Sequence, residues 1–514
     1  MSALELGTTA IDANDGVRPW IEHFYLAHGV GTESAEMPLI GTDLGEGFDE
    51  RLIMSPGMVL VLEPVIWEDG FAGYRSEDIV AVTDTGWVKL SGSTYEPYGL
   101  TGEHPKTTTS EDRSEERART GARRSRGMSP VARDRGLFVG VMGLEDDARV
   151  DFARLRAERR AKVLSGMESH DLDVLMLGGV GDVRYVSGAR QLGRSGVLPF
   201  APVAVVARKT ARVHLLSTWD EGVPPEIGRD DLYRMSWNPA NLAADLVKIP
   251  GVREARRVGT DGLTPMFAGL IPQLVTPAEL VDAAPVMATA RRSKTPEEII
   301  CLDVASAIAE AALTAMDDAL APGITERELL GIYDERIASL GTPMPPSESV
   351  CFATPSRGPV RFRHLPSDRP IGDGELVVLA PGALYAGYEA GLARTRVAGI
   401  AAPPGAVELA SRCARGIDAL IAACRPSNTG ADLYRAWENA GNPDLGIPLA
   451  HGLGLGAEPP LIGLGRGRDA TIDEGMVLSV QSWVAEEGVG GCLQRGTVRV
   501  EGSGPSVLSR YGRL

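Results

Sequence analysis

The chain has 514 residues, 43% hydrophobic and 24% charged, and its 69 acidic and 52 basic side chains leave a formal net charge of −17. That length supports two to four domains, each with its own core, and the acidity argues against nucleic acid or an anionic membrane as the main partner. No uninterrupted apolar run approaches the roughly 20 residues that span a bilayer, Met1 to Asp15 lacks the basic-then-apolar order of a signal peptide, and Cys301, Cys351, Cys413, Cys424 and Cys492 follow no zinc or redox spacing; the expectation is a soluble, cytoplasmic protein with reduced thiols.

In chain order the first informative feature is a repeat. His28-Gly29-Val30-Gly31 followed by Pro38-Leu39-Ile40-Gly41 returns as His451-Gly452-Leu453-Gly454 followed by Pro460-Leu461-Ile462-Gly463. Gly57-Met58-Val59-Leu60-Val61-Leu62-Glu63 returns as Gly475-Met476-Val477-Leu478-Ser479-Val480-Gln481. The register then holds without a gap through Gly70 and Gly488, which sets Glu77 opposite Arg495. Residues 1–100 therefore read as a second copy of the last hundred, without a counterpart of what should precede it. From 101 to 135 large apolar residues nearly vanish, while Arg113, Arg117, Arg119, Arg123, Arg124 and Arg126 mix with Glu111, Asp112, Glu115 and Glu116. Such a stretch reads as a solvated, disordered linker rather than a basic patch.

A mixed α/β segment follows over 136–290. Residues 151–167 read as a helix and 171–177 as a strand; the Gly178-Gly179 turn after it lacks either phosphate-loop spacing. Runs at 203–206 and 213–216 flank Arg208-Lys209-Thr210 as a hairpin. In 291–514, Thr295 caps a helix with Pro296 at its first position, running to about Asp318, and Thr325 with Glu328 forms the capping box of the next. Beyond Asp373 the pattern is strands and glycine turns.

In the N-terminal copy, His28, Glu63 and Glu77 offer one imidazole and two carboxylates. That set can ligate a divalent cation, although a two-metal hydrolytic site takes more carboxylates to bridge both ions. Each residue alone fits an ordinary surface or core position; their joint place in one repeated frame favours the metal reading.

At these residues the chain resembles the pita-bread metallopeptidases: methionine aminopeptidase, aminopeptidase P, prolidase and their metal-free relative creatinase. The resemblance covers about 151–514, including the Arg292-Ser293-Lys294-Thr295-Pro296-Glu297-Glu298 junction. It implies an α/β (α+β) protein: a creatinase-type N-terminal α/β domain at 136–290, a pita-bread domain at 291–514, and an additional partial pita-bread half at 1–100. The family site resembles an Asp, a second Asp in Gly-Tyr-x-x-Asp-x-x-Arg-Thr, the His of His-Gly-x-Gly, and two Glu on closing strands. Carried over, Ala380 stands at the first Asp and Gly391, inside Gly387-Tyr388-Glu389-Ala390-Gly391-Leu392-Ala393-Arg394-Thr395, at the second; Gln481 and Arg495 stand at the two Glu, and His451 is kept. Arg363 takes the place of a substrate-contacting His, with His364 one position late, and Ala35 stands in the N-terminal copy where many members have a second His.

These replacements exchange about −4 of carboxylate charge for about +1, and one pair of opposite unit charges at about 4 Å is worth on the order of 4 kcal/mol at an effective dielectric of about 20. No dinuclear centre is expected in the C-terminal domain, and manganese, cobalt or zinc only where another chain completes His28, Glu63 and Glu77. Joining the tail of one family member to a complete neighbour that begins at Met128 accounts for this order of parts. Four functions stay open. The first is a non-catalytic subunit, in a homo- or hetero-dimer with an active homologue. The second is a metal-independent, creatinase-like hydrolase with His451 as general acid and base, helped by Glu389. The third is a binding module whose Arg363, His451, Gln481 and Arg495 hold a small carboxylate-bearing ligand; its bland form has Arg495 merely filling the vacated volume against Glu487 or Glu389. The fourth is a metal-dependent prolyl-bond aminopeptidase or dipeptidase completed by another chain.

Overall fold

The computed structural model describes residues 25–29, 36–41, 52–62, 65–68, 72–75, 77–91, 149–189, 203–216, 223–233, 239–262, 265–274, 278–342, 349–355, 358–399, 401–442 and 446–509. Ala35, Glu63, the linker at 101–135 and Met128 lie outside them. The first group of strands is β1 (Tyr25–Gly29), β2 (Glu36–Gly41), β3 (Val59–Leu62), β4 (Val65–Glu68), β5 (Ala72–Arg75), β6 (Asp78–Thr83) and β7 (Gly86–Lys89). Five of them form a sheet in the order β2-β1-β3-β6-β7, and β4 pairs with β5. Alternation along β6 buries Val80 and Val82 with Ala27, Met54, Leu60 and Leu62, and turns Ile79 outward.

The next segment begins with α1 (Phe152–Ser169), capped by the Asp151 carboxylate, which accepts from the Arg154 amide at 2.8 Å. In order come β8 (Val174–Leu177), α2 (Val180–Ser187), β9 (Ala204–Ala207), β10 (Arg212–Leu216), β11 (Leu232–Tyr233), α3 (Pro239–Leu246), β12 (Arg257–Thr260), α4 (Pro265–Leu274), β13 (Glu279–Asp282) and α5 (Ala284–Arg292). The six-stranded sheet runs β11-β10-β9-β8-β12-β13, with the expected antiparallel hairpin at β9–β10 and parallel pairing on the β8-β12-β13 side. β8 and β9 are buried on both faces, as strands covered from both sides must be. At the Gly178-Gly179 turn both amides donate to Asp261, at 2.8 and 2.7 Å, so a side chain of this chain already uses them.

Two helices, α6 (Pro296–Ala319) and α7 (Glu326–Ser339), open the last segment; α7 starts on the capping box read from the sequence, and the Thr295 cap of α6 also forms one, with Glu298. By length and composition α6 could cross a membrane, yet 56% of its most apolar stretch is buried in the protein. Strands β14 (Val350–Thr354), β15 (Leu376–Ala380), β16 (Gly382–Tyr385), β17 (Tyr388–Gly391) and β18 (Arg394–Val397) follow. The expectation of strands and glycine turns alone beyond Asp373 is corrected here: α8 (Ala406–Ala423) and α9 (Gly430–Asn439) intervene. Leu409, Cys413, Ile417 and Leu420 lie on one face of α8 at helical spacing and pack on the sheet formed by β20 (Gly456–Ile462), β19 (Ala450–Gly454), β21 (Val477–Glu486), β22 (Gly490–Glu501) and β23 (Gly504–Val507).

Buried polar groups tie these segments together. The Tyr388 hydroxyl donates to Glu298 Oε1 at 2.8 Å and accepts from Arg159 Nη1 of α1 at 3.0 Å. Glu458 of β20 sits between Arg291, at 2.9 Å, and Lys294, at 2.8 Å. Burial alone would push its carboxyl up, but Lys294 and Arg291 outweigh that and hold it below the usual carboxylate range.

Candidate functional site

One strand–turn–strand unit occurs three times, and two of its copies make the site. In the first, the Gly374 amide donates to Ala398 O at 2.7 Å and the Ala398 amide to Glu375 O at 2.9 Å. Gly475, Val500 and Met476 repeat that pair at 2.9 and 2.9 Å, and Gly57, Val82 and Met58 repeat it at 2.9 and 2.8 Å. Each glycine has a left-handed φ, +77°, +84° and +91°, which a side chain would strain. The strands beyond pair in one register. Leu376 faces Val397 and Val378 faces Thr395; Val477 faces Arg499 and Ser479 faces Thr497; Val59 faces Ala81 and Val61 faces Ile79. The N-terminal and C-terminal copies also share their neighbouring strands. His28 pairs with Val61 and Leu39, His451 with Ser479 and Leu461, with a register irregularity just after each histidine.

The units at 374–398 and 475–500 meet about a local twofold. Ala393 and Arg495 are equivalent positions, and they exchange both backbone hydrogen bonds at 3.2 Å. On either side, Thr395 Oγ1 donates to Leu493 O at 3.2 Å and Thr497 Oγ1 to Gly391 O at 3.1 Å, again equivalent with equivalent. Ala380, Gly391, Gln481 and Arg495 all belong to this junction, with His451 buried in the neighbouring strand.

What fills the junction differs from a cation site. Gln481 and Arg495 face each other in register, each about 5% exposed; Arg495 Nε donates to Gln481 Oε1 at 3.2 Å and Gln481 Nε2 to Pro448 O at 3.0 Å. Glu487, a partner considered from sequence, is instead exposed at the β21–β22 turn. Ala380 packs with Ala393, Phe352, Trp483 and Leu493 in an apolar cluster. A Cβ on Gly391 would stand 3.1 Å from Pro381 O. A methyl, a hydrogen, a carboxamide and a guanidinium do not fit a pair of divalent cations, which take carboxylate and imidazole donors. Among the described residues, no three His, Cys, Asp or Glu side chains are placed to hold a metal ion.

Arg363 does not join Gln481 and Arg495 as the binding-module reading expected. Its guanidinium pairs with the fully buried Glu326, donates to Ala353 O at 3.1 Å and lies over the Phe352 ring at 5.5 Å. Burial would raise the Glu326 carboxyl; Arg363 and the Ala353 and Ser367 amides outweigh that and hold it low. In the N-terminal copy, His28 lies in β1 and Glu77 is exposed just before β6. The residues missed from sequence are the aromatic group of Phe352, Phe362 and Trp483, with centroids 5.3 to 5.9 Å apart. They come from three separate stretches of chain that no motif links.

Comparison with known proteins agrees with this architecture. The model of metallopeptidase family M24 matches residues 1–84 and 301–502. An uncharacterized peptidase of Methanocaldococcus jannaschii is 37% identical over 73 residues, 14% of this chain and only 20% of that protein. The Xaa-Pro dipeptidase of Pyrococcus horikoshii is 22% identical over 370 residues, 69% of this chain and 98% of its own length. The structure of the Xaa-Pro dipeptidase from Bacillus anthracis superposes with a TM-score of 0.58 at 19% identity, covering 70% of this chain and 99% of that one, which shows a shared fold. With the family's model matched over more than half of this chain, in two stretches, the chain belongs to metallopeptidase family M24.

Proposed function

We propose that this protein is a non-catalytic member of the family, a structural or regulatory subunit that pairs with another family member. The observation that supports the reading most is the closed junction: Arg495 and Gln481 hydrogen-bond to each other where the family resemblance calls for carboxylates, and Ala380 is packed into an apolar cluster. A buried guanidinium repels a divalent cation instead of ligating it. The metal-dependent cleavage of a bond beside proline, suggested by the names of the relatives, has no donor set here to carry it.

The test is the metal content of the purified full chain, by mass spectrometry after incubation with manganese, cobalt or zinc, alongside hydrolysis of Xaa-Pro dipeptides. Substoichiometric metal and no hydrolysis are expected. A full dinuclear complement with hydrolysis that His451→Ala abolishes would overturn the proposal. Metal that Glu77→Gln removes and His451→Ala does not would belong to the N-terminal copy and leave the proposal standing.

A further inference from the structure

The pita-bread part uses two of the three strand–turn–strand units, each covering the other across the local twofold. Thr497 is fully buried there and Arg495 is 5% exposed. In the third unit, Ile79 holds the position of Thr497 and Glu77 that of Arg495. Ile79 is 36% exposed and Glu77 is exposed as well. Val88 on the adjoining strand β7 and Leu90 just past its end are 52% and 58% exposed, more open than their counterparts Ser506 and Leu508. Among the described residues, β5 pairs only with β4, and β6 only with β3 and β7, so no other described strand lies along this edge.

We propose that two copies of this chain join through their N-terminal units, edge to edge about a twofold axis at Glu77, in the arrangement the other two units adopt within each chain. The local symmetry carries the choice of occupant. Within the pita-bread part the contact is between equivalents, Ala393 with Arg495 and Thr395 and Thr497 with each other's strands. A surface that contacts its own equivalent is isologous, and a second copy of the same unit satisfies it. Ile79 replaces a threonine hydroxyl at that position, exchanging a hydrogen bond across the axis for apolar burial. Glu77 brings a like charge to its partner copy, so the contact is weaker while both carboxylates are ionised. The inference stands on the N-terminal unit and does not depend on whether the C-terminal junction is inert.

The test uses the full-length chain. All five native cysteines are buried, so Glu77→Cys introduces an exposed thiol on the axis itself, where an antiparallel pair sets the two Cα atoms about 5.5 Å apart. Mild oxidation should link two copies through position 77, and sedimentation velocity should show a dimer that dissociates on dilution. Ile79→Glu should abolish that dimer, and Glu77→Gln should tighten it at least about fivefold, the factor for one removed like-charge contact even when water screens it. A gain in affinity cannot come from misfolding. A monomer at all concentrations, or a dimer indifferent to both substitutions and without the 77–77 link, overturns the proposal. So does a link from position 77 to a different co-purified family member. Metal content does not enter these readouts, so failure here is distinct from failure of the proposed function.

Discussion

Position 495 shows what one buried side chain does at this junction. The family resemblance calls for a carboxylate there; this chain has a guanidinium that is 5% exposed and donates to Gln481, while its backbone makes the bridge to Ala393. Arg495→Ala removes the donor to Gln481 Oε1 and leaves a void, so we expect a destabilisation of about 2–4 kcal/mol, read as a lowered urea midpoint. Gly391→Asp returns a carboxylate but presses its Cβ against Pro381 O, 3.1 Å away; the expected cost is about 1–3 kcal/mol by the same measurement. The reading of 380, 391, 481 and 495 as ligand positions rests on flanking motif letters that survive. What fills the space was not legible, because Phe352 on β14 meets Trp483 and Leu493 of the β21–β22 hairpin only after distant strands pack. The partner of Arg363 was not legible for the same reason: Glu326 lies on α7, and only tertiary packing brings them together.

Between elements, the strongest tie is Glu458 of β20, clamped by Arg291 at the end of α5 and Lys294 at the start of the next segment. Its folded-state pKa is depressed, so the pair's contribution is fully present above the unfolded value of about 4.3 and is lost as pH falls through the lower folded value. Urea midpoints measured from pH 6 down to pH 3 should therefore fall below about pH 4.3, and Glu458→Gln should flatten that part of the curve. Lys294→Ala removes one of the two cations from a buried carboxylate and should cost about 3–5 kcal/mol at neutral pH. Elements with strong end signals were legible: α6 announces itself by Thr295 with Pro296 and α7 by Thr325 with Glu328. By contrast α9 uses Asp432 in place of Glu in its box, and α8 follows Gly405 with no side-chain cap, so neither has a strong start signal. The amphipathic spacing of Leu409, Cys413, Ile417 and Leu420 was the available clue.

Across the whole molecule, the repeat between the two ends of the chain was legible because both copies keep the His-Gly-x-Gly and Gly-Met-Val-Leu letters. The relation of both to 374–398 was not, because that copy shares the left-handed glycine and the strand register but few side chains. Three units in one chain leave an odd one, and the molecule contains its own control. The four pairs of β3–β6 match four of β21–β22 in register, with the same glycine turn and the same turn hydrogen bonds; among the described residues they differ in whether another unit of this chain covers them. Hydrogen exchange compared between residues 57–83 and 475–501 therefore isolates what the cover contributes. In dilute protein the N-terminal stretch should exchange faster by on the order of a hundredfold, through local opening, while the C-terminal stretch opens only with the pita-bread part as a whole. Raising the protein concentration should slow exchange at 57–83 and leave 475–501 unchanged, because association stabilises only the unit it covers. Equal protection in the two stretches at every concentration would mean that the N-terminal unit is already covered within its own chain.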